Sequence, residues 1–345
     1  MRLAIVGATG LVGSIMLEEL ACGAFDIPVD DIVPIASEKS KGGKIAFGNR
    51  SINLLSFESD GIPDVDIALF SAGADVALKY APKFAEKNAI VIDNSSAFRQ
   101  HAEIPLVVPE INPHTIGNAK IIANPNCSTI QLAIVLHALR KFGILSVFVA
   151  TYQAISGAKG KMLLRFLNEW NTMSGWMTDK KPIDLVGEHC FSKSSALPFF
   201  SNVIPAIGEK TVLEEYTEEQ KVRFETKKIL NMPDLPVSVT AVRVPVLNAH
   251  SEAVLIEFED ELCIADIIAG LQKIPGVICS NDIPTPVSVS GRREVFVGRI
   301  RRDPERFNFI HLWLVADNLR KGAATNAIQI AECVARREQR VISRK

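Results

Sequence analysis

Asn124-Pro125-Asn126-Cys127-Ser128-Thr129 runs straight into an apolar helical pattern. The spacing predicts Cys127 in the first turn of a helix with Asn126 as its N-cap. A thiol attacks as its thiolate, and the converging N–H groups of a helix N-terminus favour that anion. The same groups can stabilise the oxyanion of a tetrahedral intermediate. An ordinary cysteine is a small buried core residue, and Cys22, Cys190, Cys263, Cys279 and Cys333 read that way from their apolar or ordinary helical context. Acyl chemistry on a thiol also needs a group that exchanges a proton near neutral pH, which suits histidine. Of six histidines, His250 has the most site-like setting, in Asn248-Ala249-His250-Ser251-Glu252 before a strand begins. Arg243-Val244-Pro245-Val246 ends the preceding strand, so Arg243 and His250 are expected near one sheet edge. Arg243 can present a bidentate fork to a carboxylate; its alternative is a surface ion pair, as that of His250 is a solvated loop residue. Asn94-Ser95-Ser96-Ala97-Phe98-Arg99 offers a second anion handle after a strand ending at Asp93. In Thr217-Glu218-Glu219-Gln220-Lys221, Glu218 and Lys221 share one helix face, and taken alone they read as an exposed ion pair.

The elements that hold these groups fall into two sets. A short apolar strand over 2–6 leads into Gly7-Ala8-Thr9-Gly10-Leu11-Val12-Gly13 and an amphipathic helix to about residue 22. Gly7, Gly10 and Gly13 let the backbone turn sharply and approach a pyrophosphate at the helix N-terminus, so dinucleotide binding is expected. After the next strand, over 32–36, comes Ser37-Glu38-Lys39-Ser40-Lys41. Two serines and two lysines favour a 2′-phosphate and hence NADP, with NAD the weaker alternative; Glu38 would repel that phosphate if it pointed inward, and a solvated turn is the bland reading. Strands over 66–70 and 89–92 flank a helix over 75–87, which implies a parallel, doubly wound sheet of Rossmann type. Beyond residue 124 the pattern changes to helices over 127–141 and 161–173, a long strand over 145–154, and strands over 237–246, 253–259, 295–301 and 309–316. These read as a second α+β domain with a mixed or antiparallel sheet. A final helix over 322–337 is expected to return to the first domain. The class is therefore α/β, with residues 1–126 plus 322–345 forming the nucleotide domain and 127–321 the catalytic domain.

Composition excludes several function classes. The 345 residues are 48% hydrophobic, enough for two cores, and 38 basic residues nearly cancel 39 acidic ones for a net charge of −1. Such balance creates no global field for nucleic acid or an acidic membrane. The glycine loop begins within seven residues of the start, leaving no room for a signal peptide, and no apolar run is long enough to span a bilayer. The cysteines lack paired CxxC spacing, which argues against a metal site and fits reduced thiols in a cytoplasm.

GATGLVG at Gly7, SAGAD at Ser71, DNSSAFR at Asp93, NPNCST at Asn124, TYQAISGA at Thr151, the EExK turn at Glu218 and RVPVLNAHSEAVLIEF at Arg243 resemble, in this order along the whole chain, the aspartate-semialdehyde dehydrogenase family. The resemblance implies that Cys127 is the nucleophile, His250 the general acid/base and Gln153 a group orienting the intermediate. It implies that Arg243 holds the substrate carboxylate, Glu218 its amino group, and Arg99, Asn126 and Lys221 the phosphate. Ser37, Lys39 and Ser40 would meet the 2′-phosphate. Gly7, Thr9, Gly10, Leu11, Val12, Gly13, Ser71, Gly73, Ser156 and Gly157 would line the rest of the cofactor site, with Asn326 close to the nicotinamide. The implied reaction is NADPH-dependent reductive dephosphorylation of L-aspartyl 4-phosphate to L-aspartate 4-semialdehyde and inorganic phosphate by a cytoplasmic homodimer. Lysine (through diaminopimelate), threonine and methionine biosynthesis would draw on it. The chain departs from the usual pattern where SGAK replaces SGAG, SAGAD replaces SAGG, Ala249 stands where glycine commonly precedes the histidine, and Lys39 occupies a place often held by arginine. The alternatives are N-acetyl-glutamyl-phosphate reductase, whose cysteine usually sits in an NPGCY-like turn, glyceraldehyde-phosphate dehydrogenase with an SCTTN turn, and a non-catalytic NADP-binding paralogue.

Overall fold

A computed structural model describes residues 1–23, 25–158, 160–178, 180 and 197–342. Cys190, the Lys159 of SGAK and residues 343–345 lie outside the described residues. Six strands, β1 (Arg2–Val6), β2 (Asp31–Ala36), β5 (Leu55–Ser56), β6 (Ile67–Phe70), β7 (Ile90–Asp93) and β8 (Ile121–Ala123), form a sheet in the order β5-β2-β1-β6-β7-β8. Every pairing in it is parallel. Its strands are short apolar runs because helices cover both faces, so both sides of the pleat are buried. A two-stranded antiparallel hairpin, β3 (Lys44–Phe47) and β4 (Arg50–Asn53), lies outside this sheet and was not expected from the sequence.

The second sheet runs β10-β9-β11-β14-β13-β12, with β9 at Ile144–Gln153, β10 at Val237–Arg243, β11 at His250–Phe258, β12 at Val277–Cys279, β13 at Val295–Arg302 and β14 at Phe309–Ala316. It is mixed: β10–β9 and β12–β13 are parallel, the other pairings antiparallel. On β11 His250, Glu252, Val254, Ile256 and Phe258 are buried, with Ala253, Leu255 and Glu257 more open between them. β9 alternates likewise, turning Leu145, Phe148 and Tyr152 outward. This period of two divides the sheet into a face against helices and an open apolar face. The open face carries a cavity of about 480 Å³ lined by Phe148, Tyr152, Leu255 and Trp313 among others.

The helix Cys127–Leu139 joins the two halves. Nearly all of its residues are buried, and it shares one core with Val91 and Ala123 of the first sheet and Val147, Val254 and Ile256 of the second. A helix apolar all round must be enclosed on all sides, which is why its N-terminus opens at the junction. The chain returns through a π-helical turn, Arg320–Ala324, into the helix Thr325–Ile342. Ala327, Ile328, Ala331 and Val334 then pack against Leu3, Ile5, Leu69 and Ile92 of the first sheet. Some expected bounds need correction: the helix predicted over 161–173 spans Gly160–Met177, the strand predicted over 237–246 ends at Arg243, and β11 begins at His250 itself rather than after Glu252. Ala249 takes the turn instead, at a φ of 70°, the left-handed region where a side chain is disfavoured.

Candidate active site

The glycine loop is dictated by backbone packing. A Cβ at Gly7 would lie 2.9 Å from Ser71 backbone atoms, and one at Gly13 would lie 2.2 Å from the Gly7 carbonyl oxygen. Gly10 caps the helix Leu11–Ala21, which has no acidic residue in its first turn. Thr9, Gly10, Leu11 and Val12 thus stand at a helix N-terminus suited to a pyrophosphate, with Ser71 and Gly73 beside them at the end of β6. In the following turn Glu38 accepts hydrogen bonds from Ser56 and Ser59. These bonds hold its carboxyl below the usual range, the Ser56 bond foremost. Lys41 pairs with Asp60 at 3.9 Å. Ser37 and Lys39 are exposed, and Ser40 is partly so.

Asn126 caps the Cys127 helix as the sequence predicts: its Oδ1 accepts from the Ser128 N–H at 3.0 Å and the Thr129 N–H at 3.3 Å. Its Nδ2 donates to Glu218 Oε1 at 2.8 Å and its backbone N–H to Glu225 Oε2 at 2.6 Å. Gln153 Nε2 also donates to Glu218 Oε1, at 3.2 Å, and Lys221 Nζ lies 3.3 Å from Glu218 Oε2. Burial by itself raises the Glu218 carboxyl, but Lys221 and the two amides outweigh it and hold it below its ordinary value. The exposed ion pair read from this segment alone is thus corrected: Glu218 is only 7% exposed. Arg99 donates to Glu225 Oε1 at 3.2 Å and to the Asn94 carbonyl at 2.7 Å, while its buried Nε has no partner.

Arg243 and His250 meet over Gly157. A Cβ there would lie 3.0 Å from His250 Nε2 and 3.1 Å from Arg243 Nη1, so any larger residue would have to displace one of them by a few tenths of an ångström. His250 is fully buried, and its Nδ1 accepts the Ala154 N–H at 3.0 Å. That bond assigns the neutral ring's proton to Nε2, which has no partner. Burial and, after it, Arg243 press the ring well below its ordinary pKa of 6.5. Arg243 donates to the Ala154 carbonyl at 2.6 Å and is itself buried, so neither residue is a surface group.

The electrostatics of Cys127 correct the expectation drawn from its helix position. Its thiol is pushed up to about 12, by burial first and the Glu218 carboxylate second, against Arg243, Arg99 and the Ser128 N–H. Burial and the adjacent anion outweigh the helix N-terminus, although the Ser128 N–H still acts to lower the thiol.

Cys127, Asn126, Gln153, Glu218, Lys221, Arg243, His250, Gly157 and Arg99 are therefore brought together. Ser156 stands next to Gly157 with its hydroxyl bonded to Asn318 and Asn248. Asn326 is fully buried, donating to the Val107 carbonyl at 3.0 Å and to Asn124 Oδ1 at 2.6 Å. Sequence reasoning missed Glu225, although its spacing of seven from Glu218 puts both acids on one helix face. It also missed Gly322, where a Cβ would lie 3.0 Å from that of Cys127. The 480 Å³ cavity includes none of these groups. Among the described residues no cluster of three His, Cys, Asp or Glu side chains could hold a metal ion.

Fold and site together define a two-domain semialdehyde dehydrogenase: the family model for the semialdehyde dehydrogenase NAD binding domain matches residues 2–119, and that for the semialdehyde dehydrogenase dimerisation domain matches 136–321. The chain is 42% identical over 344 residues to an aspartate-semialdehyde dehydrogenase of Aquifex aeolicus, covering 96% of this chain and 97% of that one. A crystal structure of aspartate semialdehyde dehydrogenase II from Vibrio cholerae superposes with a TM-score of 0.88 at 39% identity, covering 97% of this chain and 98% of that one. A second structure of the Vibrio cholerae enzyme, complexed with ASA, gives a TM-score of 0.87, again at 39% identity and covering 97% of this chain and 98% of that one. The chain belongs to the aspartate-semialdehyde dehydrogenase family.

Proposed function

We propose that this chain interconverts L-aspartyl 4-phosphate and L-aspartate 4-semialdehyde with NADP and inorganic phosphate, as an oxidoreductase of amino-acid biosynthesis. The observation that carries the reading is the convergence of the Asn126-capped, half-buried Cys127 with the buried His250 Nε2–H, Arg243 and Glu218 in one site. Arg243 pairs with the substrate carboxylate and Glu218 with its ammonium group. As the substrate's ammonium group offsets the Glu218 carboxylate, the Cys127 thiol loses its proton to solvent; the thiolate attacks the acyl carbon, and phosphate leaves toward Arg99 and Lys221 to give a thioester. The glycine-loop residues hold the cofactor and Ser37, Lys39 and Ser40 its 2′-phosphate; when bound, the nicotinamide supplies the hydride that reduces the thioester carbon. His250 Nε2–H and the first-turn N–H groups stabilise the resulting oxyanion, Gln153 orients it, and its collapse releases the aldehyde and regenerates the Cys127 thiolate. With Nε2 already protonated, His250 acts first as a hydrogen-bond donor. It becomes a general acid after taking a second proton at Nδ1, at the cost of the Ala154 bond and against burial and Arg243.

The preference for NADP rests on Lys39, which has no ion pair among the described residues, while Glu38 is engaged by serines. The open apolar face of the second sheet supports a homodimer, since a second copy there would cover Phe148, Tyr152 and Trp313. We place the domain division at residues 1–126 plus 322–345 and 127–321. No helix among the described residues is long and apolar enough to cross a membrane, and the free thiols of Cys22, Cys127, Cys263, Cys279 and Cys333 suit a reducing cytoplasmic setting. The test follows reduced nicotinamide formation from aspartate semialdehyde, phosphate and NADP, with a folded Cys127→Ala variant beside the intact protein. Phosphate-dependent turnover abolished in the variant is expected; turnover surviving the substitution, or none in the intact protein with either nucleotide, overturns the reading.

A further inference from the structure

Glu252 has no part in the chemistry above, yet it is buried completely beside it. Its Oε1 accepts Gln131 Nε2 at 2.8 Å, while its Oε2 and Gln131 Oε1 are both buried without a partner. An ionised carboxyl there would be a bare buried charge, and burial pushes Glu252 up to about 8, so it is a neutral acid at neutral pH.

Its place is set by two periodicities. Gln131 follows Cys127 by four residues in one helix, nearly the same face and about 6 Å along the axis. Glu252 follows His250 by two residues in β11, the same face and about 6.7 Å along the strand. The two steps agree to within about 1 Å. The Gln131–Glu252 bond is therefore a rung one step below Cys127 and His250, joining the helix of the nucleophile to the strand of its partner. Beyond it Ile134 shares an apolar core with Val254, Ile256 and Phe258. Beside the rung on β9, in register with Glu252, stands Thr151, whose hydroxyl meets the Gln153 amide at 3.3 Å.

We propose that Glu252 is a positioning residue, which through Gln131 fixes the height and rotation of the Cys127 helix against His250. Non-directional packing leaves a helix free to slide and turn by fractions of an ångström, whereas one hydrogen bond between buried, otherwise unpartnered groups selects a single setting. The carboxylate and amino anchors, Arg243 and Glu218, stand on other elements, so the rung acts on turnover and leaves substrate capture alone.

The inference rests on the roles given to Cys127 and His250, which the Cys127→Ala comparison tests separately. In the same assay Glu252→Leu keeps the volume and removes the bond. The expected result is a fall in kcat of about tenfold or more with KM for aldehyde and phosphate within about twofold, because a misplacement of the order of 1 Å costs up to about a hundredfold. Glu252→Gln mimics the neutral acid, can accept from Gln131 Nε2 and donate to Gln131 Oε1, and should restore kcat to within about twofold. Gln131→Leu should repeat the Glu252→Leu loss from the helix side, and the double variant should fall no further than either single one. If Glu252→Leu does not fold, Gln131→Leu with Glu252→Gln decides the matter. Turnover unaffected by breaking the rung, a Glu252→Gln variant as impaired as the broken rung, or additive losses in the double variant would overturn the proposal, while a dead Cys127→Ala variant would still uphold the nucleophile.

Discussion

Replacing Glu218 with Gln should make Cys127 more reactive while impairing substrate capture, a divergence that follows from the charge layout. Burial and the Glu218 carboxylate raise the thiol from 9.0 to about 12, with Arg243 and Arg99 opposing. At about pH 8 such a thiol is roughly one part in ten thousand thiolate, against roughly one in ten for an unperturbed one. A like charge nearby accounts for about a factor of ten or more in such an equilibrium. Removing it should therefore speed alkylation of Cys127 by iodoacetamide, an uncharged reagent, by about tenfold. Geometry should survive, because the amide oxygen can still accept from Asn126 Nδ2 and Gln153 Nε2. Lys221 loses its carboxylate partner, and its freed charge acts in the same direction. The assay is pseudo-first-order alkylation of the ligand-free protein, localised to Cys127 by peptide mass spectrometry, with thermal unfolding as control. In turnover the KM for aspartate semialdehyde should rise by about tenfold or more, since an ammonium loses its charged partner. Alkylation that is unchanged or slower in a variant of normal melting temperature would refute the electrostatic account. A confirmed rise would mean that the substrate's own ammonium group, by neutralising Glu218, helps to arm the thiol that attacks it.

Gly157→Ala should lower kcat by about ten- to a hundredfold, because its Cβ would press on His250 Nε2 and Arg243 Nη1 at 3.0 and 3.1 Å; wild-type turnover in steady-state kinetics would contradict that crowding. Lys39→Ala should raise the KM for NADP by about tenfold and leave that for NAD within about twofold, as expected for the loss of one charged phosphate contact; equal changes for both nucleotides would remove Lys39 from the 2′-phosphate site. His250 also predicts a pH dependence of stability. Its folded pKa lies well below 6.5, so the unfolded chain binds the proton first. This contribution is fully present above about pH 6.5 and is lost as pH falls through the folded value. His250→Asn should accordingly show a shallower loss of urea midpoint below about pH 6.5 than the intact protein, and parallel profiles would exclude His250 as the source.

The sequence by itself determined the two-sheet fold plan and the place of Cys127 behind an Asn126 helix cap. The glycine loop was legible because Gly10 and Gly13 face a local steric demand from the Gly7 carbonyl, and the Asn126 cap because capping is decided within three residues. Most strands of both sheets showed in apolar runs and alternation, since burial on one face or two imposes those patterns locally, whereas the short β5, β8 and β12 are too brief to carry such a pattern and were not read. Only the tertiary structure decided the charge state of the site. Nothing near Cys127 in the chain reveals that Glu218, ninety-one positions away, lies close enough to raise its thiol, or that burial overrides the helix N-terminus. Glu218 and Lys221 looked like a solvated helical pair because helical spacing records which residues share a face, and is silent on what that face meets. Glu225 and Glu252 were passed over for the same reason. A carboxyl becomes informative only when it is seen without water, held by Arg99 and the Asn126 N–H in one case and by Gln131 in the other. Desolvation and long-range pairing depend on enclosure by elements remote in sequence, and they are properties of the assembled fold.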